Sequence, residues 1–109
     1  ALWNREAMVK RMKLNESGES EAALNAYLDR YCPVTLVERL PEEQKKAVRF
    51  YIDCGDDDFL AADNARMHLL LLEKKVPHEY RMRDGGHSWD YWRTALPSVL
   101  EFSTKTFRR

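Results

Sequence analysis

Two short stretches of this chain hold side chains able to do chemistry together. One is Asp53-Cys54-Gly55-Asp56-Asp57-Asp58-Phe59-Leu60, and the other is Asp84-Gly85-Gly86-His87-Ser88-Trp89-Asp90-Tyr91-Trp92. A carboxylate from the first and the imidazole of the second could hydrogen-bond. Such a pair orients the imidazole, fixes its tautomer and stabilises the imidazolium formed during acyl transfer. Each half also has a plainer reading. Acids ahead of a helix cap its free N–H groups and meet the favourable end of its dipole. A histidine after Gly-Gly suits a solvated turn. Three consecutive aspartates suggest a Ca²⁺ or Mg²⁺ loop, but the rest of that spacing is absent, so no metal is expected.

The elements around these stretches decide whether they can meet. Val48, Phe50 and Ile52 alternate with Arg49, Tyr51 and Asp53, which predicts a strand over 48–53. A helix is expected from about Phe59 to Lys75, with the run Leu69–Leu72 in the core. Pro77 opens a second strand over 78–83, in which His78, Tyr80 and Met82 alternate with Glu79, Arg81 and Arg83. A last helix starts near Trp89 and carries Trp92, Ala95, Leu96, Val99 and Leu100 on one stripe, with a kink or restart at Pro97. Strand, helix and strand of these lengths form a βαβ unit with parallel strands. Ligands bind beyond the carboxyl ends of parallel strands, so both loops belong on the functional edge. Two strands are few for a parallel sheet, so the sequence describes one end of a larger sheet.

Residues 1–41 differ in character and are expected to form a helical insertion or lid-like segment, followed by the βαβα segment over 42–109. Asn4 to Lys13 can form a helix. Ser20 can cap a second, with Leu24, Tyr27, Leu28 and Tyr31 at helical spacing. Pro33 suits the first turn of a short helix through Leu40. Trp3, Tyr27 and Tyr31 suit packing.

The chain has 109 residues, with 18 basic and 18 acidic side chains and zero formal net charge. That balance gives no electrostatic case for nucleic acid or an anionic membrane as partner. No apolar run approaches the roughly 20 residues that cross a bilayer. The first residues turn charged at once, unlike a signal peptide. Cys32 and Cys54 are too few for a disulfide framework or a zinc site and are expected to be free thiols. A soluble protein is expected, with cytoplasm and secretion or periplasm both open.

Gly55-x-x-Asp58-Phe59-Leu60, then Val76-Pro77-His78-Glu79-Tyr80, then Gly85-Gly86-His87-Ser88-Trp89-x-x-Trp92 resemble the putative-esterase family of α/β-hydrolases. That family includes S-formylglutathione hydrolases, feruloyl and acetyl-xylan esterases and mycolyl transferases. The resemblance covers Val48 to Phe107. It implies the C-terminal part of an α/β-hydrolase fold, Asp58 as triad acid and His87 as base. Asp57 is the main rival for the acid and Asp53 a weaker one. His68 and His78 are expected to be structural. Trp89 and Trp92 are expected to pack beneath the histidine loop, with a substrate-facing role for Trp89 as the second reading.

The family's nucleophile is a serine in Gly-x-Ser-x-Gly on a strand-to-helix elbow. Ser17, Ser20, Ser88, Ser98 and Ser103 all lack that context. The resemblance therefore implies a serine and oxyanion donors before residue 1, and no esterase activity from this chain alone. The implied substrate is an ester, with a carbohydrate or a small thiol as the alcohol part, and no organic cofactor or metal. A partner is expected for the sheet edge, either the missing N-terminal half or another copy. The rival readings are a non-catalytic α/β binding domain and a catalytically dead esterase relative.

Overall fold

The computed structural model describes residues 21–107. The helix expected over Asn4–Lys13, the Ser20 cap and Trp3 lie outside the described residues. The chain divides into two compact units between Leu40 and Pro41. No helix of the described residues is long and apolar enough to cross a membrane.

The first unit contains α1 (Glu21–Tyr31) and α2 (Pro33–Glu38). Cys32 joins them. Its amide donates to the Leu28 carbonyl at 2.7 Å, and its carbonyl accepts from Leu36 at 3.0 Å. Pro33 fits the first turn of α2 because the amide it lacks would have had no helical partner. The helix stops at Glu38, short of the expected Leu40. The Arg39 and Leu40 amides close the turn on the carbonyls of Thr35 and Val37.

The second unit contains a 3-10 turn (Glu42–Gln44), β1 (Phe50–Gly55), α3 (Ala61–Glu73), β2 (His78–Arg83) and α4 (Trp89–Phe107). The two strands are parallel, in register from Phe50 opposite His78 to Gly55 opposite Arg83. This is a mixed α/β arrangement, two parallel strands with flanking helices. β1 begins two residues later than expected. Pro77 has no N–H to donate, so the ladder opens at His78 and leaves Val48 and Arg49 outside it.

Side chains alternate across the sheet, and a different helix packs on each face. Cys54, His78 and Tyr80 face α3. The Asn64 amide donates to Cys54 Sγ, His68 bonds His78, and the His68 ring stacks on Tyr80. Tyr51, Asp53 and Arg83 face α4. The Tyr51 ring meets Phe102, and Arg83 donates to Ser98 at 2.9 Å. Among the described residues the buried apolar ones are Cys54, Leu71, Val76, Tyr91 and Ala95. Burying each removes apolar surface from water at roughly 25 cal/mol per Å².

Two expectations need correction here. Of Leu69–Leu72, only Leu71 is buried, while Leu69 and Leu72 are exposed. Four consecutive helical residues point around most of the circumference, and only one faces the sheet directly. At Pro97, of the kink or restart expected there, the restart does not occur: α4 runs unbroken from Trp89 to Phe107. Proline removes one backbone hydrogen bond, and the buried pair Tyr91 and Ala95 holds the preceding turn against the sheet.

α3 ends in a Schellman motif. Lys75 adopts φ 56°, its amide donates to Leu72, and the Val76 amide donates to Leu71 at 2.9 Å. Buried Val76 then packs as the residue that follows such a cap, and Pro77 follows at once. The chain is thereby turned into β2 within three residues.

Candidate active site

Gly55 and Arg83 pair at the ends of the two strands, so the loops that follow leave the sheet side by side. Backbone bonds lace them together. The Asp56 amide donates to the Arg83 carbonyl at 2.9 Å, and the Asp57 amide to the Gly85 carbonyl at 2.9 Å. The Gly85 amide donates to Asp56 Oδ1 at 3.0 Å. Gly85 sits at φ +131°, a region that only glycine occupies at little cost.

The lacing brings Asp58 to His87. Asp58 Oδ2 lies 2.9 Å from His87 Nδ1. Asp58 Oδ1 accepts the Leu60 amide at 2.9 Å, and the Asp58 carbonyl accepts the Ala61 amide, so a tight turn fixes the carboxylate. The Asp58 side chain is 6% exposed, whereas that of His87 is 44% exposed. A carboxylate only accepts, so Nδ1 carries the hydrogen of this bond, and in the neutral imidazole that tautomer leaves the lone pair on Nε2. Among the described residues Nε2 has no hydrogen-bond partner. Aromatic rings surround the imidazole. Phe59 lies 5.0 Å from it, centroid to centroid, and Trp92 meets it edge-on at 5.0 Å.

The rival acids lie elsewhere. Asp57 is exposed, and its part in the loops is its backbone amide. Asp53 is 8% exposed and sits within β1, where it accepts from Tyr51 at 2.7 Å, from Tyr91 and from Arg83. Burial pushes its carboxyl up, but the bonds from Tyr91, Tyr51 and Arg83 outweigh that and hold it below its ordinary value. Burial and the bond to Asp53 push the Tyr91 hydroxyl up to about 12. This network ties β1, β2 and the first turn of α4 together directly under the histidine loop.

The described serines are all engaged in structure. Ser88 accepts the Tyr91 amide at 3.4 Å, Ser98 accepts from Arg83, and Ser103 donates to the Val99 carbonyl. Asp56, Asp57 and Asp84 form an exposed acidic group with carboxylate oxygens within 4.8 Å of one another. His68 and His78 bond each other at 2.7 Å, and His78 Nδ1 donates to the Val76 carbonyl, at the sheet end away from Asp58. Burial pushes the Cys54 thiol up, helped by the Asp58 charge, so it is held as a neutral thiol.

Trp89 differs from the packing expectation. It is 71% exposed, with its ring edge-on to Trp92 at 5.0 Å. Tyr91 and Ala95 occupy the sheet-facing positions of α4, and Trp89 falls outside that pair's stripe. Sequence reasoning missed Phe59 as a neighbour of His87, the Asp53 network and the role of Asp56. The network had a signal: Asp53 and Arg83 are opposite charges near the ends of adjacent strands, on positions of matching parity.

The profile of the family described as "Putative esterase" matches residues 3–102. The chain belongs to this esterase family. An acetyl esterase of Caldicellulosiruptor saccharolyticus is 31% identical over 70 residues, which are 64% of this chain and 26% of that protein. A ferulic acid esterase of known structure superposes with a TM-score of 0.61 at 40% identity, over 66% of this chain and 28% of its own. The chain thus spans about a quarter of the length of these two esterases.

Proposed function

We propose that this chain supplies the acid and base of a serine carboxylic-ester hydrolase, with Asp58 as acid, His87 as base and the nucleophilic serine before residue 1. The observation that carries the reading is the 2.9 Å bond from His87 Nδ1 to Asp58, with Nε2 left without a partner among the described residues. In this scheme Nε2 takes the serine proton as the serine oxygen attacks the ester carbonyl. Asp58 stabilises the imidazolium, which returns the proton to the departing alcohol and leaves an acyl-serine. Water then attacks the acyl-serine by the same proton route in reverse, releasing the acid and restoring the serine.

The engaged state of Ser88, Ser98 and Ser103 supports a nucleophile outside these residues. The names of the two similar esterases point to acetyl or feruloyl as the acyl part, and the family resemblance adds a carbohydrate or a small thiol as the alcohol part. Exposed Trp89 would meet such a substrate, a role supported by its ring contact with Trp92, whose ring in turn meets the imidazole. Residues 1–41 would form a helical insertion or lid-like segment, and residues 42–109 the C-terminal βαβα segment of the α/β-hydrolase domain. The scheme uses no metal or organic cofactor.

The test uses the full-length protein that carries this segment. His87→Ala should lower turnover of p-nitrophenyl acetate by on the order of 10³-fold or more, and Asp58→Asn by a comparable order. A serine-directed phosphonate should label one serine upstream of Ala1 and none of the five serines within this sequence. Labelling of Ser88, or full activity in the His87→Ala enzyme, would overturn the assignment. Glycine or alanine at the elbow position would instead indicate a binding protein that has lost catalysis.

A further inference from the structure

Both polar backbone groups of Gly85 are held by the loop that carries Asp58. The Gly85 N–H donates to Asp56 Oδ1 at 3.0 Å, and the Gly85 carbonyl accepts the Asp57 amide at 2.9 Å. The Asp56 amide also donates to the Arg83 carbonyl at 2.9 Å. Asp56 thus grips the incoming chain at residues 83 and 85, and His87 follows two residues later. From this arrangement we infer that Asp56 is a positioning residue, whose carboxylate sets the distance between the Asp58 and His87 side chains through the Gly85 amide. The inference rests on the reading of Asp58 and His87 as acid and base.

Three physical points support it. A glycine has little preference among backbone conformations, so the φ of +131° at Gly85 must be selected by its surroundings. The ring of Tyr91 limits it from one side, at 2.9 Å from where a Cβ would stand. The Asp56 and Asp57 bonds fix it from the other. Second, Asp56 does not act as a helix cap. α3 starts at Ala61 behind Leu60, with no side-chain cap bond. Third, the Asp56 carboxylate lies close to those of Asp57 and Asp84, and the Gly85 N–H is the donor that holds its Oδ1 on the histidine loop.

His87 is the more exposed partner of the pair, and its bond to Asp58 and its contacts with the Phe59 and Trp92 rings all depend on where the loop backbone sets its Cα. The grip on Gly85 sets that backbone position before substrate arrives. Its loss should affect the reacting geometry more than substrate affinity. The amide side chain of asparagine offers the same acceptor oxygen without the charge, and it should rescue the alanine variant.

The test compares Asp56→Ala, Asp56→Asn and His87→Ala in the full-length enzyme, with p-nitrophenyl acetate as the probe substrate. Asp56→Ala should lower kcat by about 10- to 100-fold, the scale of a misplacement near 1 Å, with KM within about 3-fold of the parent. Asp56→Asn should recover kcat to within about 3-fold of the parent. Parental kcat in Asp56→Ala beside an inactive His87→Ala enzyme would overturn the positioning role and leave the triad standing. An Asp56→Asn variant as impaired as Asp56→Ala would overturn it as well, since acceptor geometry would then not be what matters. An active His87→Ala enzyme would remove the reading beneath the inference.

Discussion

Gly55 ends β1 so close to Gly85 that a Cβ on Gly55 would overlap the Gly85 carbonyl oxygen and lie 2.6 Å from its carbonyl carbon. The obstruction is backbone, which cannot rotate away as a flexible side chain would. Gly55→Ala should therefore force the two loops apart and destabilise the protein by about 1–3 kcal/mol, the range for overpacking a filled site. The same displacement would lengthen the Asp58–His87 bond. Urea unfolding of the full-length protein reads the first effect and turnover reads the second. A parental midpoint with parental turnover would mean that the loops do not approach in this way.

The Asp53 network predicts an acid-side dependence of stability. The Asp53 carboxyl is held below its ordinary value, as the bonds from Tyr91, Tyr51 and Arg83 together outweigh the opposing effect of burial. The folded state therefore binds this proton less readily than the unfolded state. The stabilisation is fully present above the unfolded carboxyl value near 4 and is lost as pH falls through the lower folded value. Asp53→Asn should flatten the decline of stability below about pH 4. It should also cost roughly 3 kcal/mol at neutral pH, because Arg83 would keep a charge without its partner. Chemical denaturation at a series of pH values checks both. An Asp53→Asn protein with an unchanged acid limb would show that other carboxyls govern it.

The fold was legible wherever one residue dominated its local physics. Pro77 opens β2, and the strand spans the six residues from His78 to Arg83 that alternation indicated. Gly55 and the pair Gly85-Gly86 mark the two loops. β1 was displaced by two residues in the reading because alternation from Val48 to Asp53 carries no information about its partner. Only the pairing of His78 with Phe50 sets where the ladder starts. The leucine run misled for a related reason, since apolar character says nothing about which side of α3 meets the sheet. At the site, strand and loop order put an aspartate and His87 on one edge, the family resemblance singled out Asp58 among the three aspartates, and the structure brings Asp58 and His87 together. Asp56 was not legible as anything but an acid in a row of three. Its bond is to a backbone N–H that has no signature of its own in sequence.

The 109-residue polypeptide by itself should neither hydrolyse p-nitrophenyl acetate nor behave as a compact monomer. β1 and β2 pair only with each other among the described residues, so each strand has one side without ladder partners. A buried polar group left unmet costs about 1–3 kcal/mol, against a whole-domain stability of about 5–15 kcal/mol. The apolar surface has the same deficit. Phe50 and Met82 on the sheet are exposed, as are Leu69 and Leu72 on α3 and Leu96 and Leu100 on α4. Water-exposed apolar groups at this density favour association, through either the rest of a longer protein or a second copy. Sedimentation velocity of the isolated polypeptide should show concentration-dependent association, and its thermal transition should be broad. Co-expression with the preceding portion of the protein should yield a sharp transition and restore hydrolysis. A monomer with a sharp melt independent of concentration would instead identify an independently folding α/β binding domain, because the exposed edges would then need no cover.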